Sequence, residues 1–200
     1  MNNKENGQWP YKTPGIPDDL FCRDKGVPMT RSEIRALIIS RMRLFPEAVV
    51  YDVGAGSGTV AVECALQSKT VYAVEKKEAA LSVIRKNADF FNVPLQIIDG
   101  EAPAALEELP PPHRIFIGGS GGQIEDILAA SHRKLNPGGR LVFTAVTLDP
   151  VPLVYRFLQR QGYLIEAIQV QTAEAAPRGE NVLWQGRNPV TIISGEKSRG

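Results

Sequence analysis

The sequence lacks the features that mark membrane, disulfide-rich and metal-binding proteins. No apolar run approaches the roughly 20 residues of a membrane-spanning helix, and the polar residues 1–6 do not form a signal peptide, so we expect a cytoplasmic protein. The two cysteines, Cys22 and Cys64, lie far apart and form no Cys-x-x-Cys pair. The only histidines are His113 and His132. We therefore expect two buried or half-buried thiols, and neither a disulfide framework nor a bound metal.

An excess of charge of one sign is also lacking. The formal net charge is +1 at pH 7, so we expect no large nucleic-acid-binding surface. Local arginines could still meet an anionic small molecule. The 200 residues, 43% of them hydrophobic, suffice for one domain with a sizeable core.

The sequence is organised around an apolar run that ends in an acid and opens into alternating glycines. Residues 48–53 are typical of a buried strand of a parallel sheet, and Asp52 suits a cationic or amine-bearing ligand. Gly54, Gly56 and Gly58 let the backbone turn sharply and let a ligand approach closely. Thr59 stands where the dinucleotide fingerprint has its last glycine. The pattern instead resembles the Asp-x-Gly-x-Gly-x-Gly turn of S-adenosylmethionine-dependent methyltransferases of the Rossmann-like class, and we favour that cofactor over NAD.

The next strand supports a nucleoside site. Residues 70–74 form a second β-rich run that ends in Glu75, about 20 positions beyond the first turn. An acid at this place can accept two hydrogen bonds from ribose hydroxyls. The alternative is a solvated strand end without a ligand.

A third β-rich run, residues 95–98, also ends in an acid. Asp99 is followed by Gly100, Glu101 and Ala102, and an acid with a small-residue loop suits the polar edge and the face of an adenine ring. Alternatively, Asp99 and Glu101 are N-terminal acids of a helical run over residues 104–109.

Strand and helix patterns alternate along the rest of the chain. Thr30-Arg31-Ser32-Glu33 predicts a capping box for a helix over residues 30–44. Two final β-rich runs, residues 163–171 and 190–194, are separated by a polar loop. The pattern indicates an α/β fold, a doubly wound sheet of about seven strands, mostly parallel with an antiparallel terminal strand pair. We expect an N-terminal arm over residues 1–29, one domain over 30–195 and a tail over 196–200.

A glycine-rich loop follows the fourth predicted strand. It places bare backbone beside the ligand crevice, so we expect it to face the substrate. Methyltransferases that act on base or glutamine amino groups typically have an acid or Asn followed by Pro-Pro and an aromatic residue here, so that activity is disfavoured. The residues of the loop are Gly118, Gly119, Ser120, Gly121 and Gly122.

Most of the chain resembles one family, the decarboxylating precorrin or cobalt-precorrin carbon-15 methyltransferases of cobalamin biosynthesis. The resemblance spans about residues 15–194, and the Ile-Pro-Asp-Asp arm joined to Gly-Gly-Ser-Gly-Gly is its most specific part. The segments that carry it are Gly15-Ile16-Pro17-Asp18-Asp19, Pro28-Met29-Thr30, Glu33-Ile34-Arg35, residues 52–58, 71–75, 99–103, 117–122 and 135–140, and Arg187-Asn188-Pro189-Val190.

The resemblance implies methylation at carbon-15 and loss of carbon dioxide from the carbon-12 acetate of a precorrin-6B type tetrapyrrole. It further implies a homotetramer and, as a functional partner, a separate carbon-5 methyltransferase; we expect no carbon-5 activity of this chain. The resemblance leaves open whether the substrate carries cobalt. The cofactor contacts that it implies are Thr30, Gly54, Ala55, Gly56, Ser57, Gly58, Glu75 and Ala102.

The carboxylates of such a substrate need cationic partners. The candidates are Arg23, Arg35, Arg178 and Arg187, although a solvated surface arginine is an equal alternative for each. His113 precedes the fourth strand, at the end of the sheet opposite the crevice, so we reject it as an acid. No residue can be assigned to decarboxylation. Two other functions stay open, a methyltransferase for RNA or another small molecule, and a cofactor-binding subunit without turnover.

Overall fold

The structure is a computed structural model that describes residues 9–199; residues 1–8 of the expected arm and Gly200 of the expected tail lie outside the described residues. The strands are β1 (Val49–Val53), β2 (Thr70–Glu75), β3 (Leu95–Asp99), β4 (Arg114–Ile117), β5 (Arg140–Ala145), β6 (Leu164–Val170), β7 (Ala173–Arg178), β8 (Asn181–Gly186) and β9 (Val190–Glu196). The helices are α1 (Ser32–Met42), α2 (Thr59–Ala65), α3 (Glu78–Phe90), α4 (Ile124–Lys134) and α5 (Pro150–Arg160).

Seven strands form one sheet in the order β3-β2-β1-β4-β5-β9-β6. The first five strands are parallel, while β9 lies antiparallel between β5 and β6. The predicted fold class, a mostly parallel sheet with antiparallel terminal strands, is confirmed. Chain order reverses between β1 and β4, and ligands bind at such a switch point in open α/β sheets.

The core lies on both faces of the sheet. In β1, Val50 packs into the cluster that contains residues of α1, α2 and α3, while Tyr51 and Val53 pack into the cluster with α4 and α5. A strand covered on both faces needs apolar residues at successive positions. This explains why residues 48–53 form a nearly continuous apolar run.

Residues 9–29 contain little regular structure and contact helices α2 and α3. They contain one short 3-10 turn, Asp18–Leu20. Ile16 and Phe21 pack with Val62 of α2 and Phe91 in a third, smaller core cluster. The arm is therefore held by its own apolar contacts.

Two predicted helix boundaries are wrong. Helix α1 begins at Ser32 after Arg31, with no side-chain cap, so the capping box is not formed. The Thr30 carbonyl instead accepts a hydrogen bond from Arg35, which holds the preceding chain extended. The helical run predicted over residues 104–109 is only a 3-10 turn, Ala104–Leu106, because three prolines follow at positions 110–112.

The prediction of a polar loop between residues 171 and 190 is also wrong. This segment is a hairpin of β7 and β8, paired from Ala173 and Gly186 to Arg178 and Asn181. Gly179 has φ +62° in the two-residue turn, as such hairpins require. Residues on both faces of the hairpin are largely exposed. Neither face needs apolar residues for burial, so the sequence here does not alternate between apolar and polar residues. Strand β9 also extends to Glu196, one residue into the predicted tail.

Candidate active site

A crevice opens at the carboxyl ends of β1, β2, β3 and β4. Its floor is formed by the turn after β1 and the glycine loop after β4, and its sides by the loops after β2 and β3. The residues that line it are Pro28, Val53, Gly54, Gly56, Val74, Glu75, Lys76, Lys77, Ala80, Gly100, Glu101, Ala102, Gly118, Gly119, Ser120, Gly121 and Ile127.

The two glycine segments touch each other across the switch point. A Cβ atom on Gly54 would lie 2.6 Å from the Gly119 carbonyl oxygen and 2.8 Å from the Gly119 Cα. Gly54 also has φ +71°, a conformation that L side chains rarely adopt. Only glycine therefore allows β1 and β4 to end side by side as the crevice floor.

The turn after β1 uses all its backbone amides within the protein. Because a phosphate at a glycine turn is held by free backbone N–H groups, this turn is unsuited to a dinucleotide. It presents bare peptide surface and carbonyl oxygens instead. The amides of Gly54 and Ala55 donate to the Val74 carbonyl, Gly56 to the Glu75 carboxylate, Ser57 to the Pro28 carbonyl and Gly58 to the Ala55 carbonyl.

Glu75 lies at the end of β2 and faces the crevice. Its Oε2 accepts a hydrogen bond from the Gly56 amide at 3.0 Å, and its Oε1 accepts from the Lys76 and Lys77 amides at 2.9 and 3.0 Å. A carboxylate offers about four acceptor positions. These backbone bonds fix its orientation and leave acceptor capacity for a ligand hydroxyl.

Asp52 is buried beneath the turn and does not line the crevice. Its side chain is 1% exposed, and neither carboxylate oxygen has a hydrogen-bond partner among residues 9–199. Burial raises the pKa of Asp52 to about 7; the Glu75 charge adds to this, and the Ala61 backbone N–H opposes it without completing a hydrogen bond. Asp52 therefore lies beneath the turn, where it can influence the turn and not contact a ligand in the crevice directly.

The crevice brings together part of the predicted cofactor set. Ser57 is buried, and its Oγ has no hydrogen-bond partner in the part of the chain that the structure describes. Asp99 is exposed at the end of β3. The predicted cofactor residues that line the crevice are Gly54, Gly56, Glu75, Gly100 and Ala102. Those that do not line it are Thr30, Asp52, Ala55, Ser57, Gly58 and Asp99.

The predicted substrate loop lies beside the same crevice. Gly118, Gly119, Ser120 and Gly121 line it, whereas Gly122 is exposed outside it.

Sequence reasoning missed several lining residues, chiefly Pro28, Lys76, Lys77 and Glu101. Lys76 directly follows Glu75, the last residue of β2, and Glu101 lies two positions after Asp99, the last residue of β3. Since the crevice of a doubly wound sheet is built from the segments after its strands, their positions alone could have indicated them.

The prediction that Arg35 could bind a substrate carboxylate is wrong. The Arg35 side chain is fully buried, its Nε donates to Glu63 at 2.6 Å, and its Nη1 donates to Asp18 at 3.1 Å. The Thr30 carbonyl also accepts from Nη1, and the Ile16 carbonyl accepts from Nη2. Arg35 therefore anchors the arm to α1 and α2.

The other three arginines are reachable from solvent to different degrees. Arg187 is half-buried and its Nε donates to Glu174 at 3.1 Å. Arg178 is exposed at the end of β7, and Arg23 is exposed on the arm with its Nε 3.3 Å from the Asp18 carbonyl. The structure brings none of these three to the lining of the crevice.

The remaining titratable candidates lie away from the crevice. His113 precedes β4, and its Nδ1 accepts a hydrogen bond from the Val49 amide at the start of β1, the end of the sheet opposite the crevice. Cys22 is half-buried and Cys64 buried, both as free thiols. Residues 9–199 contain no group of three His, Cys, Asp or Glu side chains arranged to hold a metal. Within that range, too, no helix has the length and hydropathy to cross a membrane.

The sheet order and this crevice define a Rossmann-like methyltransferase. The family model described as precorrin methyltransferase domain matches residues 19–197, so the chain belongs to the precorrin methyltransferase family. A protein of Saccharolobus solfataricus named probable cobalt-precorrin-6B C(15)-methyltransferase (decarboxylating) is 40% identical over 197 residues, covering 95% of this chain and 99% of that protein. The Salmonella typhimurium cobalt-precorrin-6B C(15)-methyltransferase (decarboxylating) is 34% identical over 186 residues, covering 91% and 96%.

Solved structures agree with this assignment. The precorrin-6y C5,15-methyltransferase of Geobacter metallireducens superposes with a TM-score of 0.87 at 36% identity, covering 94% of this chain and 100% of that chain. The precorrin 8W decarboxylase of Methanobacterium thermoautotrophicum superposes with a TM-score of 0.86 at 31% identity, covering 90% and 98%. A tRNA (m1A58) methyltransferase of Aquifex aeolicus, at 16% identity and a TM-score of 0.71, shares the fold alone.

Proposed function

We propose that this protein methylates carbon-15 of a precorrin-6B or cobalt-precorrin-6B type tetrapyrrole with S-adenosyl-L-methionine. In the same reaction sequence it removes carbon dioxide from the carbon-12 acetate, as a step of cobalamin biosynthesis. The observation that carries the proposal is the crevice, whose glycine turn has no free backbone N–H for a phosphate and whose Glu75 keeps acceptor capacity beside its three backbone hydrogen bonds. The chain is also 40% and 34% identical to two enzymes named for this reaction.

The residues of the crevice fit S-adenosyl-L-methionine. Gly54 and Gly56 line the crevice with bare backbone, and the carbonyls of this turn suit an ammonium group. Glu75 would accept hydrogen bonds from the ribose hydroxyls, while Gly100 and Ala102 leave room for the adenine. Thr30, Asp52, Ala55, Ser57, Gly58 and Asp99 stay predicted contacts or supports of the cofactor.

The chemistry that the protein itself must supply is mainly positioning. When bound, S-adenosyl-L-methionine supplies a methyl group on a positively charged sulfur, so no strong base is needed for its transfer. Holding an electron-rich ring carbon in line with that methyl group can supply several kcal/mol of the barrier. The loop of residues 118–122, without large side chains, would allow the flat macrocycle to approach the crevice floor.

Decarboxylation places a different demand on the site. The bond between the acetate methylene and the carboxylate carbon breaks, carbon dioxide leaves, and the electron pair passes into the conjugated macrocycle. A proton from solvent then converts the remaining methylene into a methyl group. Apolar surroundings for that carboxylate favour the step, while the other carboxylates need cations. Arg23, Arg178 and Arg187 are the candidate cations, and no residue is assigned to the bond cleavage.

We also propose that the protein acts in the cytoplasm as a homotetramer, with a separate carbon-5 methyltransferase as its functional partner. The β7–β8 hairpin supports an assembly, because Val182, Leu183 and Trp184 are each more than half exposed and an isolated hairpin is marginally stable in water. Light scattering at micromolar concentration tests this, and a monomer would contradict it.

Two measurements test the proposed reaction. Calorimetry should show micromolar or tighter binding of S-adenosylhomocysteine, the demethylated product of the cofactor. Mass spectrometry of precorrin-6B and its cobalt-loaded form after incubation should show one methyl group gained and one carbon dioxide lost, and the comparison identifies the preferred metal state. Absence of cofactor binding would refute the proposal. Cofactor binding without turnover of either tetrapyrrole, together with a salt-dependent RNA shift, would favour an RNA methyltransferase instead.

A further inference from the structure

Helix α3 supports the glycine turn with two residues on one face. Ile84 and Asn87 are three positions apart, which places them side by side on a helix. A Cβ on Gly58 would lie 3.0 Å from the Ile84 Cγ1, so the helix packs directly against the turn. Asn87, fully buried, donates from Nδ2 to the Ser57 carbonyl at 2.8 Å.

The same amide group also holds the N-terminal arm. The Cys22 amide donates to the Asn87 Oδ1 at 2.7 Å, and the Asn87 Nδ2 donates to the Cys22 carbonyl at 3.3 Å. Because Oδ1 must accept from a backbone N–H, the orientation of the amide is fixed. One buried side chain therefore bridges the arm and the turn.

A second contact joins the arm and the turn on the other side of Ser57. The Ser57 amide donates to the Pro28 carbonyl at 3.0 Å, and Pro28 lines the crevice. The arm therefore holds the Ser57 amide through Pro28, and α3 holds the Ser57 carbonyl through Asn87. Asn87 in turn binds the arm at Cys22. Movement of the arm would change the position of the turn.

The attachment of the arm at its other end is independent of Asn87. Glu63 of α2 accepts hydrogen bonds from the Gly15 and Ile16 amides at 2.9 and 3.0 Å, and Arg35 completes this buried anchor. Loss of the Asn87 bonds would therefore loosen residues 22–28 locally, with the arm still attached.

We infer that Asn87 is a positioning residue that couples the docking of the arm to the shape of the cofactor-binding turn, an inference that rests on the proposed function of the crevice. Since coupling between two sites is reciprocal, cofactor binding orders the arm around Cys22, and a docked arm strengthens cofactor binding. Asn87 is not part of the crevice lining and acts through Ser57.

The test uses Asn87→Asp, which keeps the acceptor for the Cys22 amide and removes both donors. Asn87→Ala is the second variant, in case a buried carboxylate prevents folding. Val154→Ala in α5 is the control, because Val154 is fully buried and lies outside the crevice lining. Losing these buried bonds should weaken S-adenosylhomocysteine binding roughly tenfold in either Asn87 variant, whereas the control should bind as the wild type does.

Thiol labelling separates local from global effects. The half-buried Cys22 reports the arm, and the buried Cys64 reports global opening. S-adenosylhomocysteine should slow labelling of Cys22 in the wild type; in the Asn87 variants Cys22 should react faster and be less protected, with Cys64 unchanged.

Unchanged affinity in the variants, or equal acceleration at both cysteines, would overturn the inference and leave the proposed function intact. A wild-type protein that binds no S-adenosylhomocysteine would overturn both.

Discussion

Lys76 and Glu101 meet across the mouth of the crevice, with the Lys76 Nζ 2.6 Å from the Glu101 Oε1. Gln123, just before α4, donates to the same oxygen at 2.7 Å. The three side chains connect the loops after β2, β3 and β4. The cavity beneath them measures about 190 Å³, less than the roughly 300–1,000 Å³ of typical ligand pockets. We therefore expect this latch to open when a nucleoside with an amino-acid tail enters.

Glu101→Gln should speed entry of the cofactor. The variant removes the charge pair with Lys76, and the bond from Gln123 alone is weaker. We expect about a two- to fivefold higher association rate for S-adenosylhomocysteine, measured by stopped-flow fluorescence. Raising the ionic strength should speed association in the wild type and have less effect in the variant.

The control for this experiment is Glu107→Gln. It breaks a comparable exposed pair, in which Arg133 lies 3.0 Å from Glu107, away from the crevice. An equal change in both variants would contradict the latch.

Glu75→Gln should weaken cofactor binding about tenfold or more, because one charged acceptor for the ribose hydroxyls is lost. The loss should be smaller for an analogue without the 2′-hydroxyl, since that ligand already lacks part of the interaction. Calorimetry with both ligands on both proteins gives the coupling between Glu75 and the hydroxyl. If the two ligands lose affinity equally, Glu75 acts only by holding the turn.

Gly54→Ala should abolish cofactor binding and destabilise the fold. The new methyl group would lie 2.6 Å from the Gly119 carbonyl oxygen, so β1 and β4 must separate. Gly162→Ala is the control, because Gly162 has φ +72° and open space around it, and it should cost only about 1–2 kcal/mol of backbone strain. Urea unfolding and calorimetry should show a greater loss for Gly54→Ala. Equal loss in both would indicate that the close contact is unimportant.

Because Asp52 is buried, the free energy of unfolding should fall as pH rises. Burial raises its pKa from 3.8 to about 7, so between these values the folded state binds a proton that the unfolded state releases. The free energy of unfolding should therefore fall from about pH 4 to pH 7, by up to about 4 kcal/mol from this group. Asp52→Asn should flatten the urea-unfolding profile in this window. The exposed Asp89→Asn is the control and should keep the wild-type profile; a wild-type slope in Asp52→Asn would refute the assignment.

The sheet and the centre of the crevice could be predicted because strong local patterns define them. A strand buried on both faces needs an apolar run, and Gly54, Gly56 and Glu75 follow such runs directly. The latch could not be predicted in the same way. Contact between Lys76, Glu101 and Gln123 depends on the lengths and paths of three loops.

Two wrong predictions and the unpredicted burial of Asp52 have a common cause, because each depends on contacts between segments that are distant in the sequence. Arg35 looks like any helix-surface arginine in sequence, and only the arm folding back over α1 buries it. The β7–β8 hairpin was missed because strand prediction depends on a buried face, and residues 9–199 bury neither face of this hairpin. Asp52 was noticed for its charge, yet its burial beneath α2 could not be inferred from a strand-end position.

Strand β9 lies between β5 and β6, although it is the last strand to be synthesised. Before residues 190–196 leave the ribosome, β6 has no neighbour in the sheet and the edge of β5 is bare. Ribosome-bound chains that stop before Val190 should therefore expose the edge of β5 and the edge of β6 that β9 later covers. Unpaired strand edges of this kind promote chaperone binding or aggregation.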